Sequence, residues 1–131
     1  MITNFYNYFL PDSNITSITI ENDKVVICLE WDVTKKPIRI LCSGVVGVTN
    51  LCMWDDTIIG DNVNLVEVDA EKEDFLSKIF SVYRKDGDCE AYKLLKNHLF
   101  DLSIELVNTI TFHVYCYEVW VEENTEDASL S

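Results

Sequence analysis

The sequence predicts an α+β domain in which one main amphipathic helix packs on a curled, mainly antiparallel β-sheet of about five to seven strands. Two observations predict this class: apolar residues alternate with polar ones in most of the chain, and one later segment has the 3.6-residue period of a helix. The 131 residues, 48% of them apolar, fit one domain with a single core. We assign the domain to residues 1–123 and expect residues 124–131 to form an acidic flexible tail.

The first predicted element is an antiparallel hairpin. Apolar and polar residues alternate over 18–21 and again over 25–31. Asn22-Asp23 between the two runs is typical of a two-residue turn, so the two runs should pair with each other.

The middle of the sheet is predicted from two further segments. A third strand covers about 38–42, after which Gly44 and Gly47 interrupt a run of valines. Glycines within a strand pattern indicate a bulge or a bend, so we expect the sheet to curl at this point. Residues 58–68 are rich in β-branched side chains but contain Gly-Asp-Asn at 60–62, which predicts a broken strand or two short strands.

The one predicted helix runs from about Ala70 to Lys85. Asp69 has the properties of an N-cap, acidic residues fill the first turn, basic residues fill the last turn, and Gly87 follows. The apolar stripe of this helix falls at i, i+3, i+4 and i+7 and consists of Leu76, Ile79, Phe80 and Tyr83. Residues 90–97 fit either a helical turn or an edge strand.

A long hairpin is predicted to close the domain. Residues 100–106 alternate, Asn108-Thr109 turns the chain, and 110–121 continue as a second strand. Both faces of that second strand are apolar, which is typical of a strand in the centre of a sheet.

The charge of the chain excludes several classes of partner. The net charge is -13, and the excess lies in two segments, with -7 over 51–74 and -6 over 102–131. Nucleic acid and anionic membranes would be repelled, whereas a basic protein would be attracted. A solvated acidic surface that only aids solubility is the alternative, but solubility needs a net charge of only about 2 to 8.

No catalytic, cofactor or metal motif stands out, so we expect a protein that is not an enzyme and needs no cofactor. His98 and His113 belong to no compact ligand spacing. Cys116 and His113, three residues apart in a strand, should point to opposite faces and could not act as a nucleophile pair. The five cysteines are an odd number and several lie in apolar stretches, which favours buried reduced thiols. With no signal peptide or membrane span predicted, the cytoplasm is the expected compartment.

Candidate partner-binding residues follow from the acidic segments. Trp54 beside Asp55-Asp56 combines an aromatic anchor with steering charges, although a tryptophan buried at a strand end would give the same pattern. The complete set of candidates is Trp54, Asp55, Asp56, Asp61, Glu71, Glu73, Asp74, Glu122 and Glu123.

The acidic start of the predicted helix and three further segments carry a family resemblance: IENDKVVICLEWD, IRILCSGVVGVTN and LFDLSIELVNTITFHVYCYEVWVEE. Together with the size and charge of the chain, they resemble the small acidic immunity proteins of bacterial toxin–immunity systems, including those of contact-dependent growth inhibition. The resemblance implies an α+β domain that binds a cognate toxin domain, often a nuclease, and blocks its active site. It transfers no functional residue to a position in this sequence.

Two other functions stay open: an acidic inhibitor that mimics nucleic acid, and a structural or adaptor domain. A mimic needs carboxylates spaced regularly along one face, whereas here they cluster in two segments. The sequence therefore favours a local plug on a basic active site.

Overall fold

The computed structural model describes residues 3–50, 57–69, 99–108 and 110–123. Among these residues are a short 3-10 helix, Phe5–Asn7, and eight strands. The strands are β1 (Asn14–Glu21), β2 (Lys24–Glu30), β3 (Pro37–Ser43), β4 (Gly47–Thr49), β5 (Ile59–Val68), β6 (Leu99–Leu106), β7 (Thr111–Cys116) and β8 (Glu118–Glu123). No helix in this part of the chain is long and apolar enough to cross a membrane.

The predicted α+β class is wrong. Strands make up 66% and helix 4% of the described residues, which contain no helix of seven or more residues. The segment predicted as the main helix, 70–85, and the ambiguous segment 90–97 lie outside the described residues. The sequence predicted one sheet with a helix packed on its apolar face, but here the strands form two sheets that share one core.

The described strands form two four-stranded sheets rather than one curled sheet. The first sheet has the order β1-β2-β3-β8 and the second has the order β4-β7-β6-β5. All neighbouring strands are antiparallel, as the sequence predicted.

Both predicted hairpins are present. In the first, Glu21 pairs with Lys24 around the Asn22-Asp23 turn, and Asn22 has a φ of 54°, in the left-handed region that asparagine tolerates. In the closing hairpin, β6 pairs with β7. The predicted long second strand is divided, however, because the chain changes sheets at Tyr117. Only β7 is central, while β8 lies at the edge of the first sheet.

The predicted bend at Gly44 is one of the places where the chain passes between the sheets. Gly44 has a φ of 63°, and a Cβ atom there would lie 2.9 Å from Cδ2 of Tyr117. The Val46 N–H donates to the Tyr115 carbonyl (2.8 Å), and the Tyr117 N–H donates to the Ser43 carbonyl (3.1 Å). The two crossing segments therefore support each other, and glycine is required because of both its φ and the adjacent ring.

A second connection between the sheets joins β1 to the start of β5. The Ile15 N–H donates to the Thr57 carbonyl (2.8 Å), and the Ile59 N–H donates to the Ser13 carbonyl (2.9 Å). These bonds fix the residues before β1 against β5, which positions the candidate site.

One buried cluster, drawn from both sheets, forms the core. Its members are Phe5, Leu10, Ile15, Val25, Ile27, Leu29, Ile38, Ile40, Cys42, Ile59, Leu65, Leu102, Ile104, Leu106, Phe112, Val114, Cys116, Val119 and Val121.

The described cysteines are all free thiols, as the sequence predicted. Cys42 and Cys116 are buried and Cys28 is half-buried, whereas Cys52 and Cys89 lie outside the described residues. A hydrogen bond with Cys42, together with burial, raises the pKa of the Cys116 thiol, so this thiol stays protonated near neutral pH.

Candidate functional site

An aromatic segment at the N-terminus forms one wall of the candidate site. Residues 5–9 read FYNYF, and we call them the aromatic segment. Phe5 is buried in the core, whereas Tyr6 and Phe9 are each 67% exposed. Large exposed aromatic side chains placed close together are characteristic of binding surfaces rather than of folding alone.

Asn4 attaches this segment to the edge of the first sheet. Its side-chain Nδ2 donates to the Val121 carbonyl (2.7 Å), and its Oδ1 accepts from the Val121 N–H (2.8 Å). The Thr3 hydroxyl also donates to the Val119 carbonyl. These side chains occupy edge groups of β8 that would otherwise be open to another strand.

Further contacts hold the aromatic segment along its length. The Tyr6 hydroxyl donates to the Leu65 carbonyl of β5 (2.9 Å), and the Trp31 indole N–H donates to the Phe9 carbonyl (2.7 Å). The rings of Tyr8 and Trp31 lie with their centroids 5.0 Å apart. The segment is therefore anchored to both sheets.

A cleft of about 340 Å³, which we call the aromatic cleft, lies between this segment and β5. Its lining consists of Phe5, Tyr6, Tyr8, Phe9, Leu10, Pro11, Asp61, Val63, Asn64 and Leu65. Among these lining residues, Asp61 is the one acidic or basic side chain, and it is exposed.

A second cleft of about 290 Å³, the acidic cleft, adjoins the first because Asp61 lines both. It is lined by Asp12, Gly60, Asp61, Glu105, Leu106 and Val107. The three carboxylates come from distant parts of the sequence: the turn before β1, the start of β5, and β6.

An irregularity in β5 places Asp61 at the surface. Ile59 pairs with Leu106 and Val63 with Ile104, so residues 60–62 all face the single residue Glu105. The sequence predicted a broken strand or two short strands here, but β5 is one continuous strand and residues 60–62 form a bulge within it. Asn62 donates from Nδ2 to Oε1 of Glu105 (2.9 Å), which fixes that carboxylate beside the bulge.

The carboxylates of the acidic cleft form no ion pair with a described Lys or Arg. Within the described ranges, ion pairs between acidic residues and Lys or Arg join Lys35 to Asp32 and Arg39 to Glu122 (2.7 Å). The hydrogen bond with Asp32 and the charges of nearby carboxylates, Asp12 among them, raise the pKa of Lys35. The acidic cleft therefore brings three carboxylates together at one part of the surface.

The predicted partner-binding residues lie in different surroundings. Asp61 lines both clefts. Glu122 is paired with Arg39, and Glu123 accepts a hydrogen bond from the Tyr8 hydroxyl (3.3 Å), which brings Glu123 to the aromatic segment. Burial, and then the charge and hydrogen bond of Glu123, raise the pKa of Tyr8.

The remaining candidates, which lie outside the described residues, are Trp54, Asp55, Asp56, Glu71, Glu73 and Asp74.

Sequence reasoning missed the aromatic segment, Asp12 and Glu105. The segment had a signal, because four of its five residues are aromatic without the alternation that a strand would show. Asp12 and Glu105 had none, since only long-range pairing brings them to Asp61. The predicted combination of tryptophan and acid also occurs on β8, where Trp120 is 47% exposed, but the neighbouring Glu122 is already paired with Arg39.

A histidine–carboxylate pair lies on the second sheet. Nδ1 of His113 is 2.8 Å from Oδ1 of Asp101, and the His113 ring stacks on Tyr115 with centroids 5.8 Å apart. The described residues contain no group of three or more His, Cys, Asp or Glu side chains that could hold a metal ion. We therefore interpret this pair as a cross-strand contact.

Comparison with known proteins adds no assignment: no protein-family model matches the sequence, and no curated protein is significantly similar to it. The charge and geometry of the chain itself therefore carry the functional inference.

Proposed function

We propose that this protein is a non-catalytic inhibitor of the immunity-protein kind, which binds a basic toxin domain, most suitably a nuclease, and covers its active site. The observation that carries the proposal is the pair of adjoining clefts, where the exposed Tyr6 and Phe9 lie beside Asp12, Asp61 and Glu105. We call this combined area the acidic-aromatic surface.

The composition of this surface favours a protein partner. Aromatic side chains supply most of the binding energy at many protein interfaces, and charged residues around them steer association. The carboxylates of this surface would repel nucleic acid and anionic lipid. A basic protein is the partner whose field is complementary.

A nuclease domain fits this chemistry because its active site must hold phosphate groups with Lys and Arg side chains. The same side chains would attract Asp12, Asp61 and Glu105 and would be covered on binding. A cytoplasmic location agrees with the free thiols of the described cysteines.

The proposal rests on surface chemistry and not on fold. The resemblance to immunity proteins implied an α+β domain, and the described residues form two β-sheets instead. The three carboxylates of the acidic cleft also come together at one place, which supports a local plug more than an extended mimic of nucleic acid.

Binding kinetics test the proposal. The purified protein is mixed with the toxin domain encoded beside its gene, and rates are measured at two salt concentrations. We expect Asp12→Asn combined with Asp61→Asn to lower the association rate constant about threefold to tenfold at low salt and to flatten its salt dependence.

The matched control is Glu21→Gln combined with Glu118→Gln, which removes two exposed carboxylates elsewhere. It should change the association rate less than the first pair does. Failure to form a complex at micromolar concentration would overturn the proposed function, and equal effects of the two double variants would overturn the assigned surface.

A further inference from the structure

The aromatic cleft has the size and the lining of a site for one extended side chain. Its volume of about 340 Å³ is at the small end of the range for ligand pockets. Its lining residues include the aromatic Tyr6, Tyr8 and Phe9, the apolar Val63 and Leu65, and the acidic Asp61.

The lining selects a cation. A neutral apolar group would remove water from Asp61 without giving it a partner, which is costly, and an anion would be repelled. A cation, by contrast, interacts favourably both with the faces of aromatic rings and with the carboxylate.

Among protein cations, arginine matches this lining better than lysine. The guanidinium group is planar, stacks on aromatic rings, is weakly hydrated and bonds a carboxylate through two N–H groups at once. A lysine ammonium is strongly hydrated and acts as a point charge, so it would use the aromatic wall less well.

We propose that the aromatic cleft binds the side chain of one arginine of the partner protein, with the guanidinium on Asp61 and its stem against Tyr6 and Phe9. This deepens the proposed function and rests on it for the identity of the partner. The neighbouring carboxylates, Asp12 and Glu105, then face further basic residues of the same partner segment.

The site is largely formed before the arginine arrives. Tyr6 is bonded to the Leu65 carbonyl and the Phe9 carbonyl accepts from Trp31, so the backbone and one ring of the wall are fixed. Fixed walls lower the entropy that binding must overcome.

The proposal can be tested without any toxin. The probe is the capped tripeptide Gly-Arg-Gly, titrated to millimolar concentration while backbone and aromatic NMR signals are followed. The matched probe is Gly-citrulline-Gly, which has the same shape but no charge. We expect the arginine peptide to shift signals of Tyr6, Asp61 and Asn64 and to bind at least about fivefold more tightly than the citrulline peptide.

Two variants separate the contributions of charge and ring. Asp61→Asn should weaken binding of the arginine peptide about fivefold and leave binding of the citrulline peptide unchanged. Phe9→Ser should weaken binding of both peptides. Glu21→Gln, on a distant exposed carboxylate, should change neither. Equal binding of the two peptides, or shifts spread over other carboxylates, would overturn the proposal.

Failure of the arginine site and failure of the inhibitor function would give different results. Arginine binding without a toxin complex would retain the cleft and reject the inhibitor function. A salt-dependent toxin complex without arginine binding would retain the inhibitor and reject the cleft as its arginine site.

Discussion

At the scale of single residues, Tyr117 shows how a local feature acquires a structural role. It lies between β7 and β8, its ring packs against Gly44, and its hydroxyl is buried with no hydrogen-bond partner among the described residues. A buried hydroxyl without a partner destabilises a fold by about 1 to 3 kcal/mol relative to one that is bonded. The ring, not the hydroxyl, is therefore what the sheet crossing requires.

The first prediction concerns this hydroxyl. Tyr117→Phe keeps the ring and removes the buried hydroxyl, so we expect the free energy of unfolding to rise by about 0.5 to 1.5 kcal/mol in urea denaturation. Tyr117→Leu, which removes the ring from the crossing, is the control and should lower it. A loss of stability in the phenylalanine variant would show that the hydroxyl has a bonding partner.

The same substitution has a pH signature. Burial raises the pKa of Tyr117 to about 12 from an ordinary value of 10.0, so at high pH the unfolded chain loses this proton before the folded chain does. Relative to the ionised form, the neutral hydroxyl therefore adds to the free energy of unfolding. This contribution is complete below pH 10 and is lost as the pH rises towards 12. The free energy of unfolding of the Tyr117→Phe variant should therefore fall less steeply over that pH interval than that of the original protein.

At the scale of elements, the aromatic segment depends on one asparagine. Asn4 bonds both the N–H and the carbonyl of Val121, which fixes the segment to β8 and covers part of the edge of the first sheet. The segment carries Tyr6 and Phe9 to the aromatic cleft. Stability of this edge and formation of the cleft are therefore coupled.

The second prediction follows from that coupling. Asn4→Ala removes two hydrogen bonds, so we expect it to lower the free energy of unfolding by about 1 to 2 kcal/mol and to increase amide exchange at Val121. Arginine-peptide binding should weaken in parallel. Asn7→Ala, an exposed position in the same segment, is the control. Unchanged exchange at Val121 in the Asn4 variant would contradict the proposed anchoring.

At the scale of the whole molecule, we expect the net charge to oppose folding. A charge of -13 on 131 residues exceeds what solubility needs, and self-repulsion opposes the compact state. This excess is expected of a surface that serves a basic partner. The same repulsion should also lower the melting temperature of the free protein.

The third prediction is that salt stabilises the free protein. Raising sodium chloride from about 0.02 M to about 0.3 M shortens the screening length and should raise the melting temperature by several degrees. Sodium bromide at the same ionic strength is the control and should give a similar rise, because screening depends on charge. A melting temperature that falls with salt would mean that attractive pairs outweigh the repulsion.

Local patterns in the sequence predicted the two hairpins, the bend at Gly44, an interruption at residues 60–62 and the free thiols of the described cysteines. Each of these depends on neighbouring residues: the period of two, the turn chemistry of Asn22-Asp23, or the glycines within strand patterns. The net charge follows from composition in the same way, and the proposal of a basic partner starts from its sign and size.

Tertiary structure alone decided the two-sheet architecture and the site. Periodicity assigns a residue to a face of a strand, but it does not say which sheet a strand joins, and the change of sheet at Tyr117 divides a segment that reads as continuous. Asp12, Asp61 and Glu105 meet only because β1 bonds to β5 and β5 pairs with β6. Such contacts between distant parts of the chain leave no local period, so they could be found only in the folded molecule.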